Sequence, residues 1–352
     1  MDQIVRSIDI GYGNTKFVRS HAHGKVEASM FPSLAPQTGS SSTVGAGLLP
    51  RRDTVVIDVG GVFYEVGRDA ADALEPSHSQ MRDRSYPRSP EYMALLRAAL
   101  YYMGLERIDL LVLGLPVNTY SEHTAHLTKT VVGKHHIPNV RALSLPGEPA
   151  TRTVHVNAVK VFPQPLGGFF DHAIRHRIVQ DMRAGTNLMI DPGYVTLDWL
   201  VTRGTKPIDA RCGAHAGGMS AILDSLAGQL KKAHDLPLTN LTRSRIDEAV
   251  RTGTKVTLYG KEYDISAFVP SAKAKAREFV SSLAAKVGPG DDIDNIILGG
   301  GGAQFFLDAV QDKFPRHKIV VAEDPVYANV RGFQLAGIEM LKLARLGALP
   351  TV

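Results

Sequence analysis

Apolar positions along the chain fall into short runs broken by glycine, set among longer stretches with helical spacing. From Ile4 to about Val18 the pattern is a strand, a glycine turn and a returning strand, and Val26 to Phe31 continues the meander. Val55 to Val59 and Val62 to Val66 flank Gly60-Gly61, a pair that closes a two-residue hairpin at positive φ without strain. Ser89-Pro90-Glu91 then opens a helix, since serine caps, proline suits the first turn and glutamate meets the positive helix end. Leu96, Leu100 and Met103 follow at helical spacing, and Gly104 stops the helix. Ile108 to Leu115 is apolar almost throughout, as in a strand covered on both faces, and Ser121 to Val132 is predicted helical. Val154 to Phe162 reads as one further strand, and Gln164-Pro165-Leu166-Gly167-Gly168 turns from it into an apolar helix reaching Ile178.

A second run of this kind opens with Leu188-Met189-Ile190-Asp191. Ala216-Gly217-Gly218 leads into a helix from Met219 to Ala233, and Ser244 to Arg251 forms a short one. Lys255 to Ile265 is predicted as a hairpin centred on Gly260-Lys261, followed by a long helix from Ala267 to Lys286. The strand Asn295 to Leu298 runs into Gly299-Gly300-Gly301-Gly302 and a helix from Ala303 to Phe314; a strand from Lys318 to Ala322 and a helix from Val330 to Leu346 follow. Strand meander then helices, twice over, argues for two α/β halves related by internal duplication. The expected domains are 1–165, with 330–352 packing back on it, and 166–329.

A length of 352 residues suits two domains that can each bury a core, and 44% hydrophobic with 21% charged residues argues against extensive disorder. A single cysteine, Cys212, excludes an internal disulfide framework. Gln37 to Asp53, rich in serine and glycine, reads as a surface loop. Asp2, Arg6 and Asp9 surround a short strand-like run, which does not make a signal peptide, and no apolar run is long enough to span a bilayer. The expectation is a cytoplasmic protein with no membrane partner. A formal charge of +5 spread over this length is modest; it suits a nucleotide, and direct DNA binding is not expected. His123 with His126, and His135 with His136, lack a third ligand at zinc-like spacing, while Arg82, Arg84 and Arg88 read as a solvated loop.

The candidate chemistry lies in a repeat. Ile8-Asp9-Ile10-Gly11-Tyr12-Gly13-Asn14-Thr15-Lys16 returns in altered form as Ile190-Asp191-Pro192-Gly193-Tyr194-Val195-Thr196-Leu197-Asp198. Each copy is an apolar strand that ends in Asp, turns at glycine and comes back, presenting backbone N–H groups at the tip. N–H groups suit phosphate oxygens, and carboxylates suit the magnesium that accompanies them. Gly11, Tyr12, Gly13 and Asn14 form the first candidate phosphate turn, with Lys16 supplying a cation; Gly193, Tyr194 and Thr196 form the second. Asp9 and Asp191 would hold Mg²⁺ through its waters, because two converging carboxylates without a cation repel each other. Gly299, Gly300, Gly301 and Gly302 would bring backbone against a ribose and α-phosphate, and Gly217 and Gly218 are candidates for the other side of the nucleotide.

In order and spacing these three motifs resemble the actin, Hsp70 and sugar-kinase superfamily. The likeness implies an actin/Hsp70/sugar-kinase-like duplicated α/β fold, two domains flanking a nucleotide cleft. Val159-Lys160-Val161-Phe162-Pro163-Gln164 and Leu113-Gly114-Leu115-Pro116-Val117 further resemble the ParM/StbA group of bacterial actin-like plasmid-segregation ATPases, in particular the PRTRC-system protein D type. The resemblance implies a slow, assembly-stimulated nucleoside triphosphatase using ATP or GTP with Mg²⁺. Its catalytic residues would be Asp9, Asp191 and Gln164, the last positioning the attacking water. The implied partners are further copies of the chain in a filament, contacting through the apolar Gly45 to Leu49 segment, and a DNA-binding adaptor. Gln164 stands where the ParM pattern has Glu and where actins have Gln; Pro192 removes an N–H from the second turn, and Tyr194 with Val195 displaces the usual Gly-Thr. The alternative is a small-molecule kinase of the sugar-kinase type, which needs a carboxylate near the acceptor hydroxyl.

Overall fold

The computed structural model describes residues 3–22, 24–39, 52–74, 83–139, 148–236 and 240–346. Arg82 and the Gly45 to Leu49 segment lie outside the described residues. The chain divides into two compact units; Met1–Leu74, Ser79–Ile178 and Tyr327–Val352 belong to one, and Val179–Val326 forms the body of the other. No helix among the described residues is long and apolar enough to cross a membrane.

The first unit is built from β1 (Val5–Ile10), β2 (Asn14–Ala22), β3 (Lys25–Pro32), β4 (Thr54–Val59), β5 (Val62–Gly67), β6 (Arg107–Ile108), β7 (Leu110–Leu115), β8 (Gly133–Pro138), β9 (Thr151–Val156) and β10 (Val159–Pro163). Its helices are α1 (Pro90–Met103), α2 (Tyr120–Val131), α3 (Gln164–Arg175) and the C-terminal helix Ala328–Arg345. The main sheet runs β10-β7-β1-β2-β3; β1, β7 and β10 are parallel, and β2 lies antiparallel between β1 and β3. β7 is buried along its whole length, as expected of a strand covered on both faces. Ser89 caps α1, its Oγ accepting the Tyr92 N–H at 3.1 Å, and Gly104 ends it with φ 70°.

The run from Val154 to Phe162 is not one strand. β9 belongs to a small β6-β9-β8 sheet and β10 to the main one. The break is polar: Asn157 donates its backbone N–H to Ile108 O at 2.9 Å and its side-chain amide to Asp109 Oδ1 at 3.0 Å. Asp109 also interrupts the run from Ile108 to Leu115, because its Oδ2 accepts the Ile4 N–H at 2.7 Å.

The C-terminal helix packs on β1 and α3. Ser7 Oγ donates to Val330 O at 2.7 Å, and Gln334 Nε2 donates to Val5 O at 2.9 Å. The backbones of α3 and this helix approach so closely that a Cβ on Gly332 would stand 1.7 Å from Gly167 O. Beside the crossing, Arg331 and Asp171 form a buried ion pair at 2.7 Å. This packing holds α3 in the first unit, which runs to Ile178.

The second unit comprises α4 (Val179–Ala184), β11 (Thr186–Pro192), β12 (Leu197–Arg203), β13 (Lys206–Pro207), β14 (Gly213–His215), α5 (Met219–His234), α6 (Asn240–Thr252), β15 (Val256–Leu258), β16 (Lys261–Tyr263), α7 (Val269–Val287), β17 (Asn295–Leu298), α8 (Ala303–Lys313) and β18 (Ile319–Val321). Its sheet runs β18-β17-β11-β12-β13, with β14 also on β12. β11, β17 and β18 are parallel while β12 is antiparallel to β11 and β13. Strand for strand this repeats the order and polarity of β10-β7-β1-β2-β3, so the duplication read from two short motifs extends to a whole sheet. Leu188, Ile190, Trp199, Leu226, Phe279 and Phe306 lie in the core between that sheet and its helices.

Candidate functional site

The two motif copies form the same turn. Asp9 stands opposite Lys16 and Ile10 opposite Thr15; in the second unit Asp191 stands opposite Asp198 and Pro192 opposite Leu197. The Gly11 N–H donates to Asn14 O at 3.1 Å, and the Gly193 N–H donates to Thr196 O at 2.8 Å. A Cβ at either glycine would be crowded, 3.2 Å from Asn14 O in one and 3.1 Å from Thr196 O in the other. Neither glycine has a positive φ.

In the first unit the parallel strands β1, β7 and β10 end on one edge, where ligands of open α/β sheets bind. That edge collects Asp9, the turn from Gly11 to Asn14, Lys16 and Gln164. Asp9 is only 1% exposed, and both its oxygens are engaged. Lys16 Nζ meets Oδ2 at 3.1 Å, and Gln164 Nε2 donates to Oδ1 at 2.7 Å. A carboxylate only accepts, so this bond fixes the amide with its NH₂ on Asp9 and its carbonyl oxygen turned away. The Tyr12 ring stacks on Tyr86, with centroids 5.2 Å apart.

In the second unit three segments converge. The N-terminus of α5 is fastened to the turn: the N–H groups of Gly218, Met219 and Ser220 donate to the carbonyls of Val195, Gly193 and Tyr194 at 3.0, 3.0 and 2.7 Å. Gly218 thus packs against the turn with its N–H spent within the protein, whereas Gly217 donates to His215 O and lies against Phe279. The glycine run is tied to β11, with Gly299 N–H on Ile190 O and Gly302 N–H on Pro192 O, both at 2.9 Å. Gly300 has φ 77°, and a Cβ there would lie 2.1 Å from Asp191 Oδ1. Gly301 is exposed, and the nearest atom to its would-be Cβ is Val326 Cγ2 at 3.8 Å.

Asp198 belongs with these residues, although it is not among the residues expected from the sequence. It is 1% exposed, lies opposite Asp191 on the same face of the hairpin, and accepts a hydrogen bond from the Thr196 hydroxyl. The available signal was positional, since Asp198 occupies in the second motif the place of Lys16 in the first. A buried cross-strand pair of acids repels unless a proton or cation is shared.

Asp9, Asp191 and Asp198 offer oxygen ligands only, the donor type that suits magnesium. Among the described residues no group of three or more His, Cys, Asp or Glu forms a metal cage. With both its oxygens already bonded, Asp9 fits a hydrated ion better than a directly bound one.

Two units of matching strand order, each with an acid-tipped hairpin, define an actin-like two-domain α/β protein. Residues 7–167 match the family model for the N-terminal domain of actin-like proteins, and residues 189–312 match that for the C-terminal part of the archaeal actin homologue MreB-like proteins. Both matched models describe actin-like proteins. Among solved structures it is similar to the archaeal actin homologue Ta0583, at 20% identity over 96% of this chain and 100% of that one, TM-score 0.74. The same homologue in complex with ADP gives 18% identity, the same coverage and a TM-score of 0.71. A ParM from Clostridium botulinum, solved as a 15-stranded filament, gives 18% identity over 96% and 100% of the two chains, TM-score 0.73. At these identities the likeness is one of fold. No curated protein sequence matches the chain.

Proposed function

We propose that this chain is a magnesium-dependent nucleoside triphosphatase of the ParM/StbA type, which assembles into filaments that move a plasmid or other mobile element through a DNA-binding adaptor. The observation that carries the reading is the repeated hairpin with a buried acid at its tip, joined in the first unit by Gln164 on Asp9. In this reading the nucleotide is ATP or GTP. The turn from Gly11 to Asn14 and Lys16 form the phosphate site of the first motif, and Gly193, Tyr194 and Thr196 form that of the second. Gly301 gives the ribose and α-phosphate a surface free of side chain. Bound magnesium would supply charge neutralisation of the phosphates, and Asp9 and Asp191 are the candidate carboxylates for its waters.

Gln164 positions the attacking water. Its NH₂ is fixed on Asp9, so its carbonyl oxygen accepts a hydrogen bond from that water, whose lone pair is left to face phosphorus. An amide does not take the proton outright, so hydrolysis is slow and suits a timer that outlasts assembly. The same amide gives an acceptor hydroxyl no general base, which favours hydrolysis over a kinase reaction. Similarity to a ParM solved as a filament and to an actin homologue holding ADP supports both parts of the reading. A contact surface that repeats without closing yields a filament. Light scattering and sedimentation on adding Mg·ATP or Mg·GTP, with phosphate release followed alongside, test it. Assembly above a critical concentration is expected; no change across a wide range of protein concentration overturns the filament reading.

A further inference from the structure

The two turns share a register but not an anchor. In the second unit the N-terminus of α5 clamps the turn through three backbone hydrogen bonds to Gly193, Tyr194 and Val195. In the first unit the corresponding tip is Gly11-Tyr12-Gly13, with flexible glycines on both sides of one large side chain. The Tyr12 ring lies on Tyr86 at 5.2 Å and 23°, and its hydroxyl donates to Asp83 O at 3.1 Å. Tyr86 is 3% exposed and meets the ring of buried Tyr92 edge-on at 5.5 Å and 85°. The 83–89 segment that receives Tyr12 is itself fixed. Arg84 donates to Asn118 O at 3.0 Å and pairs with Glu122, while His123 Nε2 bonds Arg84 O at 2.7 Å. Arg88 Nε donates to His123 Nδ1 at 3.2 Å, and Ser89 caps α1.

The geometry points to Tyr12 as a positioning residue: stacked on Tyr86 and bonded to Asp83, it holds the first turn in its phosphate-binding shape, as the α5 backbone holds the second. The inference rests on the nucleotide reading and adds to it a side chain that acts through the turn. It also makes the two turns unequal. The second is held by three backbone bonds from α5, whereas the first receives one, from the Ser33 N–H to Gly13 O at 3.0 Å, and adds to it the contact of Tyr12 with the segment that opens α1. An offset aromatic stack and one hydrogen bond are together worth about ten-fold or more in the population of the held conformation.

Hydrogen exchange at residues 11–14 in the nucleotide-free protein, together with Mg·ATP calorimetry, tests the inference in Tyr12→Leu and Tyr12→Phe. Leucine keeps apolar cover without the stack, so the variant folds; phenylalanine keeps the stack and loses only the hydroxyl. Tyr12→Leu is expected to exchange about ten-fold faster at the turn and to bind Mg·ATP about ten-fold more weakly, with Tyr12→Phe within about three-fold of the unaltered chain on both. A purely structural tyrosine would lower thermal stability in Tyr12→Leu yet leave Mg·ATP affinity of the folded protein intact. Unchanged exchange or unchanged affinity in Tyr12→Leu overturns the positioning role. Absence of Mg·ATP uptake by the unaltered chain is a different result, and overturns the nucleotide reading itself.

Discussion

Gly300 and Gly301 are adjacent, and the structure assigns them opposite sensitivities. At Gly300 an alanine must adopt φ 77° and place its methyl 2.1 Å from Asp191 Oδ1 and 2.9 Å from Pro192 O. The left-handed backbone and the forced shift of a buried carboxylate together cost about 2–5 kcal/mol. For a unit of this size that lowers the unfolding midpoint on the order of 10 °C. At Gly301 the nearest neighbour of the new methyl is 3.8 Å away, so the nucleotide-free fold should not notice it. If a ribose or phosphate lies against this backbone, the same methyl overpacks the bound state, at about 1–3 kcal/mol or roughly ten- to hundred-fold in affinity. Differential scanning fluorimetry without nucleotide and calorimetry with Mg·ATP read the two effects separately. Gly301→Ala that melts like the unaltered chain and binds Mg·ATP normally refutes the placement of nucleotide on the glycine run. Gly300→Ala with unchanged stability refutes the packing of Asp191 against it.

Gln164→Ala is expected to keep Mg·ATP binding and lower the hydrolysis rate by about 10²-fold or more, measured as phosphate release below the assembly concentration, since it removes water positioning and leaves Asp9 with Lys16. Tyr259 sits in the two-residue turn between β15 and β16 with φ 51°, where Asn-Gly is the favoured pair, so Tyr259→Asn should stabilise the second unit by about 1 kcal/mol, seen as a higher melting midpoint. His135 is 3% exposed, and burial, with Arg97 and His136 acting the same way against the bond to Val131 O, holds its imidazole below the ordinary 6.5. The unfolded chain therefore takes the proton first, so this stability is present above about pH 6.5 and is lost as pH falls below it. Urea titrations at pH 7.5 and 5.5 should show a larger loss on acidification in the unaltered chain than in His135→Gln.

What the sequence could disclose was local chemistry. The hairpin at Gly60-Gly61, the helix from its Ser89 cap to its Gly104 stop, and the strand Asn295–Leu298 each carry their signals within a few residues. The break at Asn157 was hidden because valines flank it on both sides, and what ends the strand is a partner elsewhere, Asp109. The meeting of Gly167 with Gly332 and of Asp171 with Arg331 joins positions far apart in the chain, which no periodicity marks. The site shows the same division. Asp9, Asp191 and the glycines stand out by repetition, and Gln164 by resemblance. Asp198 ends the second motif, but its partnership with Asp191 follows from the hairpin register. Tyr12 was read through its backbone; the role of its ring depends on Tyr86 and Asp83, which the motif does not contain.

Titration of Mg·ATP into the unaltered chain and into Asp9→Asn and Asp191→Asn by calorimetry, with and without magnesium, is the most direct test of the paired-turn account. The proposal predicts magnesium-dependent uptake of nucleotide that either substitution weakens at least ten-fold. Uptake that survives the loss of one acid unchanged, or no uptake by the unaltered chain, would contradict it.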